Sequence, residues 1–195
     1  RHFFSRPRPI FVINLGLHYN RDQNKLTKKE LERANWSKTD LQDHLKELVL
    51  YCYNTNSQCI FRESSPQYFE TEAGDGLYPG EHIAAGCMKN APESFKTLSQ
   101  WRNEVLYQAL GWGAARSKVS LGKGGGHVRV MKIFNKLSGL DATSHNTASE
   151  LNAVAAKKKY KFDDCIHFKW ESNIWEPWHL TLTEVLLEIA TSPSR

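Results

Sequence analysis

The chain has 195 residues, of which 40% are hydrophobic and 24% charged, a composition typical of one globular domain and not of a disordered chain. Its 26 Lys and Arg residues and 21 Asp and Glu residues give a formal net charge of +5, a mild excess that argues against a nucleic-acid binder. No apolar run approaches the roughly 20 residues that a membrane-spanning helix requires.

The first predicted element is the apolar run Pro9–Asn14, which favours a strand buried on both faces, as in a parallel sheet. An amphipathic helix is predicted from about Lys38 to Tyr51, and Ser37 and Asp40 before and within its first turn have the spacing of a capping box. Gln58–Arg62 is the second predicted strand.

A long glycine-containing loop to about residue 92 precedes a second helix, predicted at about Glu93 to Leu110. A strand at His127–Phe134 and a helical stretch at about Thr147–Lys158 follow, and the last helix is predicted from about Pro177 to Ala190 with Pro177 in its first turn. Strands that alternate with helices predict an α/β sandwich with a parallel sheet. Three strands are few for such a sheet, so we expect residues 1–195 to be a single, incomplete domain whose first strand or strands are missing from this chain.

The four cysteines, Cys52, Cys59, Cys87 and Cys165, form no Cys-x-x-Cys pair, which argues against a zinc site. Their spacing leaves open two disulfides in any of three pairings, or four buried thiols.

Asp164 and His167, just before the last predicted helix, are candidate members of a catalytic triad. In a tight turn this spacing brings the carboxylate to one imidazole nitrogen and leaves the other nitrogen free to act as a base. The carboxylate then fixes the tautomer of the ring and stabilises its protonated form. A surface turn without a catalytic role is the alternative interpretation.

Two further segments lie at predicted strand ends, where ligands bind in parallel sheets. The side-chain amide of Asn14 could donate to an oxyanion, and Arg62, with His18, is a candidate contact for an acyl or sugar oxygen. The alternatives are a strand-terminating turn at Asn14 and a structural carboxylate partner for Arg62.

In this order, the three segments resemble the later sequence blocks of the PC-esterase branch of the SGNH (GDSL) hydrolase superfamily. That branch includes the trichome-birefringence-like polysaccharide O-acetyltransferases of plants and the catalytic domain of sialic acid O-acetyltransferases. Its members have an Asn-x-Gly-His-Trp-like strand end, an Arg-x-x-Ser-Pro-x-His-Phe segment and an Asp-Cys-x-His-Trp segment. The corresponding stretches here are 14–19, 62–69 and 164–168, and the resemblance extends from Phe11 to about Leu187.

The resemblance implies an SGNH-like three-layer α/β/α sandwich that needs no metal or cofactor. It places Asn14 in the oxyanion hole and makes Asp164 and His167 the acid and base of a Ser-His-Asp triad. It also implies a Cys87–Cys165 disulfide, and therefore an oxidising compartment such as the Golgi lumen or the extracellular space.

The sequence departs from the family pattern at several points. It contains no Gly-Asp-Ser block, which supplies the nucleophile, and it lacks the glycine of the second block. Tyr68 replaces the histidine of the middle segment, and residues 169–172 replace the usual Cys-x-Pro-Gly. Ser64 and Ser65 lie near a strand end, but nothing in the pattern makes either one a substitute nucleophile.

Three hypotheses follow for function. The first is an O-acyl esterase or acetyltransferase that acts on a glycan or another acylated carbohydrate, with its nucleophilic serine upstream of this chain or on a separate, cleaved N-terminal fragment. The second is a catalytically inactive SGNH-like subunit with a structural or glycan-binding role in a larger assembly, in which Trp170, Trp175 and Trp178 stack on sugars or pack on a partner. Packing in the core is the alternative role of these tryptophans. The third, a nucleic-acid binder, rests only on the net charge and the basic run Lys157–Lys161, which is more typical of a solvated surface segment.

Overall fold

The computed structural model of the chain describes the following residues: 9–16, 19, 37–55, 57–70, 86–88, 92, 94–116, 127–138, 151, 153, 165, 168 and 171–191. The chain divides into two compact units. The first consists of Arg1–Ser64, Arg102–Met131 and Thr181–Arg195, and the second of Ser65–Trp101 and Lys132–Leu180.

The first unit contains a three-stranded parallel sheet in the order β1 (Ile10–Ile13), β2 (Gln58–Arg62), β3 (His127–Met131). Gln58 of β2 pairs with Ile10 on one side and with His127 on the other, so the three strands begin level with one another. Helices lie on both sides of this sheet, and the predicted α/β fold with a parallel sheet is confirmed.

The prediction that β1 is buried on both faces is wrong. Ile10, Phe11 and Val12 are 46%, 41% and 55% exposed, and among the described residues β1 forms one edge of the sheet. The central strand β2 is buried along Gln58–Phe61. An apolar run indicates that a strand can be buried, but it does not indicate which strands lie beside it. The sequence therefore does not distinguish a central strand from an edge strand.

Helix α1 (Lys38–Asn54) extends one turn beyond its predicted end. The predicted capping box is present, with the Ser37 hydroxyl accepting from the Asp40 amide and the Asp40 carboxylate accepting from the Ser37 amide. The buried face consists of Leu41, Leu45, Val49 and Cys52, which recur at helical spacing as expected.

The helix predicted at Glu93 to Leu110 is two helices, α2 (Phe95–Ser99) and α3 (Trp101–Arg116). Ser99 Oγ donates to the Phe95 carbonyl oxygen at 2.6 Å, a side-chain bond that competes with the backbone pattern at the point where α2 ends. The inward positions Phe95, Trp101 and Val105 are buried, as the spacing predicts.

Strand β3 is shorter than predicted, because the chain turns into the short helix α4 (Phe134–Leu137). Ile133 and Phe134, the last two residues of the predicted strand, are both buried, Ile133 as the residue that precedes α4 and Phe134 as its first residue.

The last helix, α5 (Ser172–Thr191), begins five residues earlier than predicted, and Pro177 is inside it. The amides of Ile174 and Trp175 both donate to the Glu171 carbonyl oxygen, which fixes the first turn ahead of the proline. Pro177 has no amide hydrogen, so the helix lacks one backbone hydrogen bond there. The burial of Ile174 and Trp178 offsets this loss and explains why the helix continues through the proline.

The predicted helix at Thr147–Lys158 lies outside the described residues except for Leu151 and Ala153, which are helical. Residues 71–85 of the long loop and the basic run Lys157–Lys161 also lie outside them. Among the described helices, none has the length and apolar character to cross a membrane.

Candidate functional site at the carboxyl ends of the strands

Asn14 directly follows β1, and Arg62 is the last residue of β2, the neighbouring parallel strand. The structure brings these two residues together. Asn14 Nδ2 donates to the Arg62 carbonyl oxygen at 3.2 Å. This bond joins the chain just after β1 to the end of β2. The Asn14 side chain remains exposed, so its amide is both held by the protein and accessible from solvent.

The Arg62 side chain is partly buried where β2 ends. Burial lowers the pKa of its guanidinium to about 10, because a low-dielectric surrounding disfavours the charged form. The group remains a cation at neutral pH.

Gly16, two residues after Asn14, has a φ of +140°, a backbone conformation that side chains rarely allow. A β-carbon here would lie 2.8 Å from Ser64 Oγ and 3.2 Å from Arg102 Cδ. The turn after β1 therefore requires glycine both for its dihedral angle and for the close approach of its neighbours.

Arg102, near the start of α3, is a buried cation that binds the turn after β1. Its Nε donates to the Gly16 carbonyl oxygen at 2.6 Å, and its NH2 group donates to the Tyr19 carbonyl oxygen at 2.9 Å. The Tyr19 amide also donates to the Gly16 carbonyl oxygen, at 3.1 Å. One guanidinium thus binds two acceptors of a single turn.

Asn103, the next residue of α3, binds the chain at the end of β2. Its Oδ1 accepts from the Ser64 amide at 2.8 Å, and its Nδ2 donates to the Ser64 carbonyl oxygen at 3.1 Å. Ser64 is buried, and its hydroxyl donates to the Leu15 carbonyl oxygen at 3.4 Å. These contacts give Ser64 a structural role in joining the two strand ends.

Two tyrosine hydroxyls near the strand ends contact ionisable side chains. Tyr107 donates to Glu63 Oε1 at 2.7 Å, and burial, followed by this bond and the charge of Glu63, raises the pKa of Tyr107. Tyr19 and His44 Nδ1 share a 2.8 Å hydrogen bond, and burial, followed by the charge of Asp40, raises the pKa of Tyr19. Both hydroxyls stay protonated at neutral pH.

In the second unit, a short antiparallel pairing brings Cys87 to the segment that follows β2. Phe69 and Cys87 form a β-bridge, and the Met88 amide donates to the Tyr68 carbonyl oxygen at 2.7 Å. Cys87 is disulfide-bonded to Cys165, with an S–S distance of 2.03 Å. The pairing that the family resemblance implies is therefore confirmed.

Cys165 is joined to the same segment by its backbone, because its carbonyl oxygen accepts from the Tyr68 amide at 3.0 Å. Tyr68 is buried; its hydroxyl donates to the Leu137 carbonyl oxygen at 2.6 Å, and its ring meets Phe168 edge-on. Tyr68 is thus part of the core. The backbone bond and the disulfide bring the middle and last motifs of the sequence together.

Three of the predicted site residues, His18, Asp164 and His167, lie outside the described residues. Their chain neighbours Tyr19 and Cys165 are both buried and hydrogen-bonded. In the part of the chain that the structure describes, no group of three or more His, Cys, Asp or Glu side chains could hold a metal ion.

A second disulfide, Cys52–Cys59, links the last turn of α1 to β2. The two bridges fit a protein that is secreted or resides in the lumen of an oxidising compartment.

Comparison with known proteins found no matching family model, no matching curated protein and no matching solved structure.

Sequence reasoning missed Arg102 and Asn103. The signal that could have found Arg102 is its position one turn before Leu106, which places a cation on the buried face of an amphipathic helix. A buried cation requires acceptors, and backbone carbonyls at strand ends are a common source of them.

Proposed function

We propose that this chain is part of an O-acyl esterase or acetyltransferase that acts on glycans by a Ser-His-Asp mechanism. The observation that carries the proposal is the exposed side-chain amide of Asn14, held at the carboxyl end of β1 by its bond to the Arg62 carbonyl oxygen. The Cys87–Cys165 bridge supports it further, since the resemblance to the PC-esterase branch implied this one of three possible pairings.

Asn14 is suited to donate to an oxyanion because a primary amide carries two N–H groups. One of them is bonded to the Arg62 carbonyl oxygen, which restrains the orientation of the amide plane. The second is then available to a ligand on the exposed side. A donor held in place before the reaction does not need to reorient as negative charge develops.

In the proposed reaction, the hydroxyl of a nucleophilic serine outside these 195 residues attacks the acyl carbon of the substrate. The serine proton passes to His167, which Asp164 orients, and the carbonyl oxygen becomes an oxyanion that accepts from Asn14. The bond to the sugar oxygen then breaks, and His167 returns the proton to that oxygen. Water or a second sugar hydroxyl afterwards removes the acyl group by the same steps.

A fluorophosphonate probe that labels activated serines, applied to the intact natural protein, tests this proposal. We expect one labelled serine, in a Gly-Asp-Ser segment outside residues 1–195, and loss of labelling in a His167→Ala variant. A His179→Ala variant, which changes an exposed histidine of α5, is the matched control and should label normally. Absence of label on the folded protein, beside a labelled control hydrolase, would refute the catalytic proposal.

A second candidate function is supported by the exposed apolar side chains of β1. Ile10, Phe11 and Val12 lie on the strand at one edge of the sheet that the described residues form, and apolar edges of this kind pair with further strands or partner proteins. This candidate is a non-catalytic SGNH-like subunit of a larger assembly. It predicts no labelled serine, together with a stable complex of the natural protein in size-exclusion chromatography.

A further inference from the structure

We infer that Arg102 is a positioning residue for Asn14, and that it keeps the amide of Asn14 in the geometry that receives the oxyanion. The catalytic part of this inference rests on the function proposed above. The part that concerns the order of the turn after β1 does not.

The bonds of Arg102 are directed at the turn that begins directly after Asn14. Both of its carbonyl acceptors, on Gly16 and Tyr19, belong to this turn, and the guanidinium is buried. Charge-assisted hydrogen bonds shielded from water are among the stronger polar interactions in proteins. Only Leu15 separates the bound carbonyl of Gly16 from Asn14, so a displacement of Gly16 moves the backbone of Asn14 as well.

The bond from Asn14 to Arg62 does not hold the amide by itself. It is a single bond between neutral groups at an exposed position, where water competes for both partners, and its net contribution is small. The two buried bonds from Arg102 restrict the backbone of the turn, and the part-buried bond from the Ser64 hydroxyl to the Leu15 carbonyl oxygen adds to them.

Arginine is required because the two acceptors are reached by two different nitrogens of one planar group. A lysine at this position keeps the positive charge but reaches the two carbonyls from a single nitrogen on a flexible stem. Arg102→Lys is therefore a conservative variant that weakens the hold on the turn without leaving an apolar side chain in its place.

A double-substitution cycle in the intact natural protein tests the inference. We expect Arg102→Lys to lower kcat, or the rate of probe labelling, about tenfold or more with little change in KM. When Asn14→Ala is already present, we expect Arg102→Lys to have almost no further effect, since residues that act through one another are non-additive. Arg116→Lys is the matched control on the same helix; Arg116 lies 4.7 Å from the Trp112 ring centroid and should be neutral. Independent, multiplicative losses would overturn the inference.

Hydrogen exchange gives a readout that does not depend on catalysis. In the wild-type protein, we expect the peptide that covers residues 10–19 to exchange at least about tenfold more slowly than an unstructured peptide, because β1 pairs with β2 and the Tyr19 amide donates to the Gly16 carbonyl oxygen. Arg102→Lys should accelerate this exchange, and Arg116→Lys should not. An unprotected wild-type peptide would overturn the inference even if the variant failed to fold, and so would unchanged exchange in a folded variant.

The two tests separate failure of the inference from failure of the proposed function. If exchange is faster in Arg102→Lys but the protein has no reactive serine, then Arg102 orders the turn, and the catalytic proposal and the oxyanion role of Asn14 are both rejected. If a serine is labelled at the same rate in the wild-type protein and in Arg102→Lys, then the proposed enzymatic function stands and Arg102 is not a positioning residue.

Discussion

Gly16 and Ser64 approach so closely that a β-carbon on Gly16 would lie 2.8 Å from Ser64 Oγ. Because Gly16 also has a positive φ, we expect Gly16→Ala to lower the free energy of unfolding by about 2 kcal/mol or more. Gly111→Ala is the control, since a β-carbon at Gly111 in α3 has no atom within 4 Å and should be neutral or stabilising by up to about 1 kcal/mol. Urea unfolding of both variants measures the difference, and equal effects would contradict the close approach.

Removal of the Asn14 amide is expected to slow acyl transfer without unfolding the protein. If Asn14 stabilises the oxyanion, Asn14→Ala should reduce kcat by about 100- to 1,000-fold and leave KM nearly unchanged. Asn54→Ala, at the exposed end of α1, is the control and should leave both constants unchanged. A loss of activity that appears entirely in KM would instead indicate a substrate-binding role for Asn14.

The two disulfides should contribute unequally to stability because they close loops of different length. Cys87–Cys165 spans 78 residues and Cys52–Cys59 spans 7. The chain-entropy relation then gives about 4.5 and about 2.4 kcal/mol of stabilisation, respectively. Paired Cys→Ser variants of each bridge, unfolded in urea, measure the two values. A larger loss from the shorter bridge would show that loop closure is not the main source of their stabilisation.

The difference between edge and central strands can be measured with one type of substitution. Ile60 in β2 is 0% exposed, and Ile60→Ala should cost about 2–5 kcal/mol. Ile10 in β1 is 46% exposed, and Ile10→Ala should cost less than about 1 kcal/mol. A cost at Ile10 that matches the cost at Ile60 in the natural protein would mean that another surface covers β1 there.

The capping box of α1 predicts a specific dependence of stability on pH. Hydrogen bonds from the Ser37 hydroxyl and amide lower the pKa of Asp40, so its carboxylate stabilises the fold above the unfolded pKa of about 4. This contribution is lost as the pH falls through the lower folded pKa. We therefore expect Asp40→Asn to be less stable than wild type at pH 6, and the difference to shrink below about pH 4. Asp43→Asn is a control on the same helix for the general effect of removing a carboxylate.

The sequence predicts those parts of the fold that local patterns determine. Helix α1 begins where Ser37 and Asp40 indicate, and β2 has the predicted bounds, because capping and short apolar runs are local properties. The exposure of β1 and the start of α5 ahead of Pro177 depend on what each element packs against. Neither a strand's position in a sheet nor the burial of Trp178 can be read from the neighbouring residues.

The candidate site was predictable to a similar extent. Strand-end reasoning and the family resemblance selected Asn14 and Arg62, which the structure brings together, and the resemblance gave the Cys87–Cys165 pairing. Arg102 and Asn103 were not predicted because their partners are backbone atoms 39 to 86 residues away along the chain. Backbone acceptors leave no side-chain pattern for a motif search to detect.

The two bonds between Asn103 and Ser64 give the end of β2 the donor and acceptor that a neighbouring strand would otherwise supply. A side chain that substitutes for a strand residue stops the ladder without leaving its last backbone groups unpaired. The register between α3 and β2 is therefore set at these two residues and does not depend on the number of residues that connect them. We expect related chains to vary in the length of residues 71–85 while an asparagine at the third residue of α3 and a small residue after β2 are retained.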